Sequence, residues 1–207
     1  MIWFPLLCAA YLLGSIPTGV LIGRLKGIDV RKHGSGNVGA TNVARVVGKL
    51  PGFLVLMVDV LKGWVPVVLL SRFGGSTSGH AEETLKILLG MAAVAGHIWN
   101  PFLQFQGGKG VATALGVLFG LDRRIAVGTM GVWITVAAVT RYVSVASVSA
   151  ALSAPFLMTF LRLPTLWILG GTGVSLAIIF RHRPNFLRLI HREEHKIGQK
   201  DAGAAGD

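Results

Sequence analysis

IWFPLLCAAYLLGSIPTGVLIG, residues 2–23, runs for 22 residues without a charge, and Arg24 and Lys26 close it. Coiled as a helix, a stretch of that length crosses the roughly 30 Å hydrocarbon core of a bilayer. No basic segment precedes it, so it reads as a retained first helix with its N-terminus outside, and not as a cleaved leader. Further apolar segments follow at 51–71 and 84–103. The mostly apolar stretch 111–180 is interrupted at Asp122-Arg123-Arg124, Arg141-Tyr142 and Arg162-Leu163-Pro164, which divides it into helices near 111–121, 125–140, 143–161 and 164–180. The sum is an all-α polytopic membrane protein of seven transmembrane helices, or five if 111–124 and 143–163 insert only in part.

Charge sets the orientation. Segments 24–50 and 181–200 each carry six Lys or Arg. An odd number of crossings puts both on one side, which the positive-inside rule makes cytoplasmic, and the C-terminus with them. Arg123, Arg124 and Arg162 fall outside and count against the scheme. The whole chain of 207 residues is 52% hydrophobic and 14% charged, against about 25% charged in a soluble domain. Mean hydropathy is +0.64. The net charge of +11 sits in short bursts between apolar segments, not in one stripe, so nucleic-acid binding is not expected. The single cysteine, Cys8, excludes a disulfide framework and a Cys-based metal site. Residues 1–198 read as one membrane-embedded domain and 199–207, small and polar, as a disordered tail.

Two glycine-dense polar runs interrupt this apolar background: Ser35-Gly36-Asn37-Val38-Gly39-Ala40-Thr41-Asn42-Val43-Ala44-Arg45 and Gly107-Gly108-Lys109-Gly110-Val111-Ala112-Thr113. Bared backbone, amide and hydroxyl side chains and one strong cation apiece are what a phosphate needs. With Ser35 as an N-cap, Asn37, Thr41 and Arg45 recur every four residues along one side of an interfacial helix whose other side is Val43, Val46, Val47 and Leu50. A plain connector with a solvated polar face fits the first run equally well. The second run fails the Walker A pattern, since Leu103 stands where glycine is needed and Gly110 where Ser or Thr is needed. What remains is a turn that opens a helix at Val111 with Lys109 and free amides at its start, or else a tight turn with a snorkelling lysine.

Polar residues also sit within the apolar segments. Asp59 and Lys62, three apart, share a helix face as an ion pair or as a substrate contact. His97 ends the third segment. Arg181-His182-Arg183-Pro184-Asn185 opens a basic tail in which Glu193, Glu194 and His195 read as solvated rather than metal-binding.

Three stretches carry a family likeness: residues 35–42 with Arg45, the region from Gly96-His97 to Thr113, and Arg181-His182 with Asn185. Together with Gly14-Ser15-Ile16-Pro17-Thr18-Gly19 and Asp59-x-x-Lys62-Gly63, they make the chain resemble the bacterial acyl-phosphate:glycerol-3-phosphate acyltransferases over nearly all of residues 1–198. The resemblance implies seven helices with the N-terminus outside in the bacterial plasma membrane and a cytoplasmic active site. It also implies transfer of a fatty acyl group from acyl phosphate to glycerol 3-phosphate, giving lysophosphatidic acid. Ser35, Arg45, Lys109 and His97 are the catalytic set it implies. The substrate contacts are Gly36, Asn37, Thr41, Asn42, Lys62, Gly107, Gly108, Gly110, Thr113, Ser144, Ser147, Arg181, His182 and Asn185. The partners are the two substrates and membrane lipids, with no cofactor, no metal, no nucleic acid and a monomeric chain.

The residues agree with that chemistry in one respect. No nucleophile with an adjacent base is evident, and an acyl phosphate is already activated, so a substrate phosphate oxygen is expected to take the hydroxyl proton. His-x-x-x-x-Asp is excluded, because Val38, Leu85, Phe102, Leu187, Lys196 and Lys200 stand five after the six histidines. The rival reading is a small transporter for a phosphorylated solute, with helices broken at Pro17 and Pro66. Against it, the polar motifs cluster on one side.

Overall fold

The computed structural model describes residues 3–74 and 79–199, and these contain ten α-helices and no strand. They are α1 (Trp3–Gly14), α2 (Thr18–Leu25), α3 (Ala40–Val46), α4 (Lys49–Val68), α5 (His80–Ile98), α6 (Val111–Leu121), α7 (Arg123–Thr140), α8 (Val143–Phe160), α9 (Thr165–Arg181) and α10 (Arg183–Ile190), with 3-10 turns at Leu70–Phe73 and Pro101–Leu103. Each apolar segment of the sequence contains a helix. The expected tail at 199–207 lies outside the described residues except for Gln199.

Among the described residues, three segments are long and apolar enough to cross a membrane: Trp3–Leu25, Lys49–Phe73 and Val143–Phe160. A fourth joins them if α9 and α10, bent by 46° at His182, count as one span. The other expected spans fall short for visible reasons. α5 starts with Glu82, Glu83 and Lys86, α6 has only 11 residues, and α7 opens with two arginines. The first segment is also not one helix. Pro17 has no N–H to donate and its ring disfavours helix in the residue before it, so the chain breaks at Ser15-Ile16-Pro17 and restarts at Thr18.

The molecule is turned inside out relative to a soluble protein. Val139, Phe156 and Phe160 are 80%, 74% and 82% exposed, whereas Asp59, Lys62, His97, Asn100, Thr113, Ser144, His182 and Asn185 are all buried. Apolar side chains facing out and ionisable ones facing in is the arrangement that lipid solvent selects. Small residues make the closest crossings. A Cβ on Gly14 would strike the Ala93 backbone and one on Gly96 the Tyr11 carbonyl, which locks α1 to α5. Gly63 and Gly116 do the same between α4 and α6, against Thr113 and Val60.

The first polar run departs from its expected shape. α3 begins at Ala40 with Gly39 as its uncapped N-cap, so Ser35 lies in the preceding loop and caps nothing. Gly36 at φ +70° and extended Gly39 keep the intervening residues out of a helix. α3 ends at Val46, and Leu50 belongs to α4. Val43 is fully buried with Val20, Val30, Val38 and Val55, while Val46 and Val47 pack against that cluster, so α3 docks on α4 instead of floating in the interface.

Asn42 organises the loop. Its Oδ1 accepts from the Ser35 N–H at 2.9 Å, and its Nδ2 donates to the carbonyls of Val30 (2.9 Å) and His33 (3.1 Å). Asn42→Ala leaves three backbone groups without their partner and is expected to cost about 2–4 kcal/mol, read from unfolding in detergent micelles. A variant as stable as the parent contradicts the bracing role.

Candidate active site

The second polar run folds back on the end of α5. The Gly108 N–H donates to the His97 carbonyl at 3.1 Å and the Gly107 N–H to that of Ile98 at 3.0 Å. Arg181, at the end of α9, then donates to both glycine carbonyls, at 2.7 Å to Gly107 and 3.3 Å to Gly108. The two glycines expected to offer amides to phosphate therefore have theirs engaged, and Arg181 holds the turn. Gly110, at φ +83°, reverses the chain into α6. Among the described residues, the amides of Lys109 to Thr113 donate to no protein acceptor. They open a helix N-terminus, where dipoles and N–H groups favour an anion.

Lys109 stands over this opening. Its ammonium donates to Asn185 Oδ1 at 2.5 Å, Asn185 Nδ2 donates to Glu194 at 2.7 Å, and Arg188 Nε reaches the other Glu194 oxygen at 2.8 Å. Burial pushes the Lys109 ammonium down to about 8 from its ordinary 10.5. Glu194 acts against that shift, while Arg188, Arg181 and Arg45 add to it. Arg45 on α3 is thus near enough for its charge to act at Lys109. Burial would raise the Glu194 carboxyl, but Asn185, the nearby Ser144 hydroxyl and Arg188 outweigh it and hold the carboxyl below its usual range.

Glu194 was read from sequence as a solvated tail residue, and its side chain is only 10% exposed. No periodicity signals it. Its place depends on residues 191–199 returning to the α7–α8 loop, where Arg141 and Ile197 exchange backbone and side-chain hydrogen bonds and Lys196 lies 5.4 Å from the Tyr142 ring centroid.

His97 and Lys62 meet on the inner side of the turn. Lys62 Nζ lies 2.6 Å from Asp59 Oδ1, 2.9 Å from the Ile16 carbonyl and 3.4 Å from His97 Nδ1. An ammonium has three protons, so Lys62 has none left for a phosphate. Lys62, His97, Asp59 and Asn100 border a small cavity with residues 16–19 and Val38. A Cβ on Gly108 would meet His97 Nε2 first, so the bare backbone of Gly108 is what gives the ring room. His182, buried between α9 and α10, donates from Nδ1 to the Ile178 carbonyl at 2.8 Å, so in the neutral ring Nε2 carries the lone pair.

The remaining expected residues divide. Thr113 and Ser144 have buried hydroxyls with no direct hydrogen-bond partner among the described residues, the first at the α6 N-terminus and the second beside Glu194. Ser35 and Thr41 are exposed, and Gly36 and Asn37 are half-buried in the loop. Asn42 braces that loop. Ser147 accepts a hydrogen bond from the Trp133 indole at 3.1 Å and ties α8 to α7.

The sequence matches the glycerol-3-phosphate acyltransferase family over residues 4–192. A glycerol-3-phosphate acyltransferase of Trichlorobacter lovleyi is 44% identical over 92% of this chain and 95% of its own. Glycerol-3-phosphate acyltransferase 2 of Moorella thermoacetica is 42% identical over 96% of this chain and 99% of its own. Among solved structures, PlsY, an integral membrane glycerol 3-phosphate acyltransferase, aligns in its glycerol 3-phosphate form with a TM-score of 0.88 and 41% identity over 96% of both chains. Its lysophosphatidic acid form aligns with a TM-score of 0.86 at 40% identity. A fold with its polar groups turned inward, a half-buried lysine at a helix N-terminus and this degree of likeness along almost the whole length agree: the chain belongs to the glycerol-3-phosphate acyltransferase family and is a membrane acyltransferase.

Proposed function

We propose that this chain transfers a fatty acyl group from an acyl phosphate to the 1-hydroxyl of glycerol 3-phosphate, giving lysophosphatidic acid and inorganic phosphate. The observation that carries the reading is the half-buried Lys109 ammonium beside a row of unengaged amides at the start of α6, with Asn185, Arg181 and the charge of Arg45 around it. Two phosphates brought together need that combination of cation and backbone donors. In the step itself the acceptor oxygen forms an ester bond to the acyl carbon, the anhydride C–O bond breaks, and phosphate leaves with the electron pair. The hydroxyl proton passes to a phosphate oxygen, so no protein base is required. Seven crossings with the N-terminus outside place the site at the cytoplasmic face of a bacterial plasma membrane, an orientation supported by the basic segments 24–50 and 181–200. The chain acts as a monomer without cofactor.

The test is direct. Purified protein in micelles is given labelled glycerol 3-phosphate with a fatty acyl phosphate or an acyl thioester. Lysophosphatidic acid and an equal amount of phosphate are expected with the first donor and not with the second. No product with either donor, together with counterflow of glycerol 3-phosphate in vesicles, would establish a transporter instead.

The Lys109 ammonium gives the reaction a pH signature. With its proton held only to about 8, kcat/KM for glycerol 3-phosphate is expected to be flat below that pH and to fall above it, approaching tenfold per unit. Lowering of a lysine means loss of the charged form earlier on the alkaline side, so the affected limb is the alkaline one. Lys109→Arg, whose guanidinium keeps its charge throughout, removes that limb from the profile. An unchanged alkaline limb in this variant rules Lys109 out as its source.

A further inference from the structure

The Lys62 ammonium fixes which nitrogen of His97 carries the proton. Three acceptors surround its three N–H groups: Asp59 Oδ1 at 2.6 Å, the Ile16 carbonyl at 2.9 Å and His97 Nδ1 at 3.4 Å. An ammonium accepts no hydrogen bond, so a proton on Nδ1 would point at a positive charge. Nδ1 must present its lone pair, and in a neutral ring the proton then sits on Nε2. Asp59 completes the device. One turn before Lys62 on α4, it pairs with the buried ammonium and aims it at the ring.

The opposite edge of the ring faces the Gly107–Gly108 turn. Among the described residues no protein atom accepts a hydrogen bond from Nε2, and the first obstacle to a side chain at Gly108 is Nε2 itself. His182 makes a contrast. Its Nδ1 donates to a backbone carbonyl, so its ring is held in the other tautomer. Two histidines border the site with opposite hydrogen-bonding polarity.

We propose that Asp59 and Lys62 are positioning residues that hold His97 in its Nε2–H form, so that His97 meets the substrate as a hydrogen-bond donor and not as a base. The oxygen it meets, on the acyl phosphate or on the glycerol 3-phosphate, rests on the reaction proposed above; the tautomer does not. A donor beside the reacting centre stabilises oxygen that gains negative charge during transfer. It cannot take up the hydroxyl proton through the same nitrogen, which agrees with a proton passing to phosphate.

The experiment has two parts. Protein carrying 15N-labelled histidine, in micelles, is read by NMR, with the His97 signal assigned by its loss in His97→Gln. A pyrrole-type Nε2 and a pyridine-type Nδ1 are expected, and the reverse pattern in the parent protein overturns the proposal. The second part is kinetic. Lys62→Met leaves Asp59 buried and unpaired, so the double variant Asp59→Asn/Lys62→Met, which removes both charges together, is measured beside it. The double variant is expected to lose about 100-fold in kcat with KM for glycerol 3-phosphate little changed, and to show the Nδ1–H form. A folded double variant with the parent's kcat overturns the assignment. A parent protein that shows the Nε2–H form but transfers no acyl group supports the tautomer and sinks the reaction proposed for the site.

Discussion

Lys109→Met is expected to lower kcat/KM for acyl transfer by about 1,000-fold, or about 4 kcal/mol of transition-state stabilisation, with the folded protein intact. The ammonium lies at the α6 N-terminus among unengaged amides, and two of the other cations nearby have protein work of their own. Arg181 holds the carbonyls of Gly107 and Gly108, and Arg188 holds Glu194. Methionine keeps the length and packing of the side chain while removing its charge. Arginine restores the charge with a planar head that matches the Asn185 contact poorly, so Lys109→Arg should recover only part of the loss. Steady-state kinetics with each substrate varied separately will show which phosphate depends on Lys109. A loss below tenfold would remove Lys109 from the centre of the site.

Gly108→Ala is expected to cost about 100-fold in kcat/KM and to lower the unfolding midpoint as well, since relieving the clash disturbs a buried hydrogen-bonded network. Its Cβ would lie against three atoms of the His97 ring, so either the ring or the turn must shift. The ring is held from behind by Lys62, and the turn is tied to α5 by two backbone bonds and to α9 by Arg181. The methyl group therefore either displaces the imidazole or opens the turn, and both misplace groups that the reaction needs. Gly131→Ala is the control, because a Cβ there meets nothing within 4 Å. Equal activity in the two variants would show that His97 tolerates displacement and has no part in the reaction.

Most of the fold was legible, because hydropathy is additive along the chain. Each apolar segment folded as helix, the first of them in two pieces divided at Pro17, and α6 began at the expected Val111. What failed depended on contacts between distant segments. Ser35 looked like an N-cap because hydroxyls favour that position, but the Asn42 side chain claims the Ser35 N–H and Gly36 turns the backbone away. The amides of Gly107 and Gly108 looked available because no sequence pattern reveals that the ends of α5 and α9 close over them. Lys62 looked like a phosphate ligand until three acceptors, from three parts of the chain, were found around it. Lys109 and Asn185 were legible and do meet. Glu194, which links Asn185 to Arg188, was not, since the return of the tail leaves no trace in local composition.

The interruption of the first apolar segment bears on how the protein is assembled. A charge that enters the bilayer centre costs about 2.5–3.5 kcal/mol on insertion scales, and α4 carries both Asp59 and Lys62. The ion pair within α4 leaves two ammonium protons without acceptors until other segments supply them. The break at Pro17 takes the Ile16 carbonyl out of the helical ladder, so that it accepts from the Thr18 N–H in the turn and also receives Lys62. It is synthesised before α4, whereas His97 on α5 arrives afterwards. In a chain made from its N-terminus, one outside acceptor for the Lys62 ammonium therefore precedes the charged helix and the other follows it.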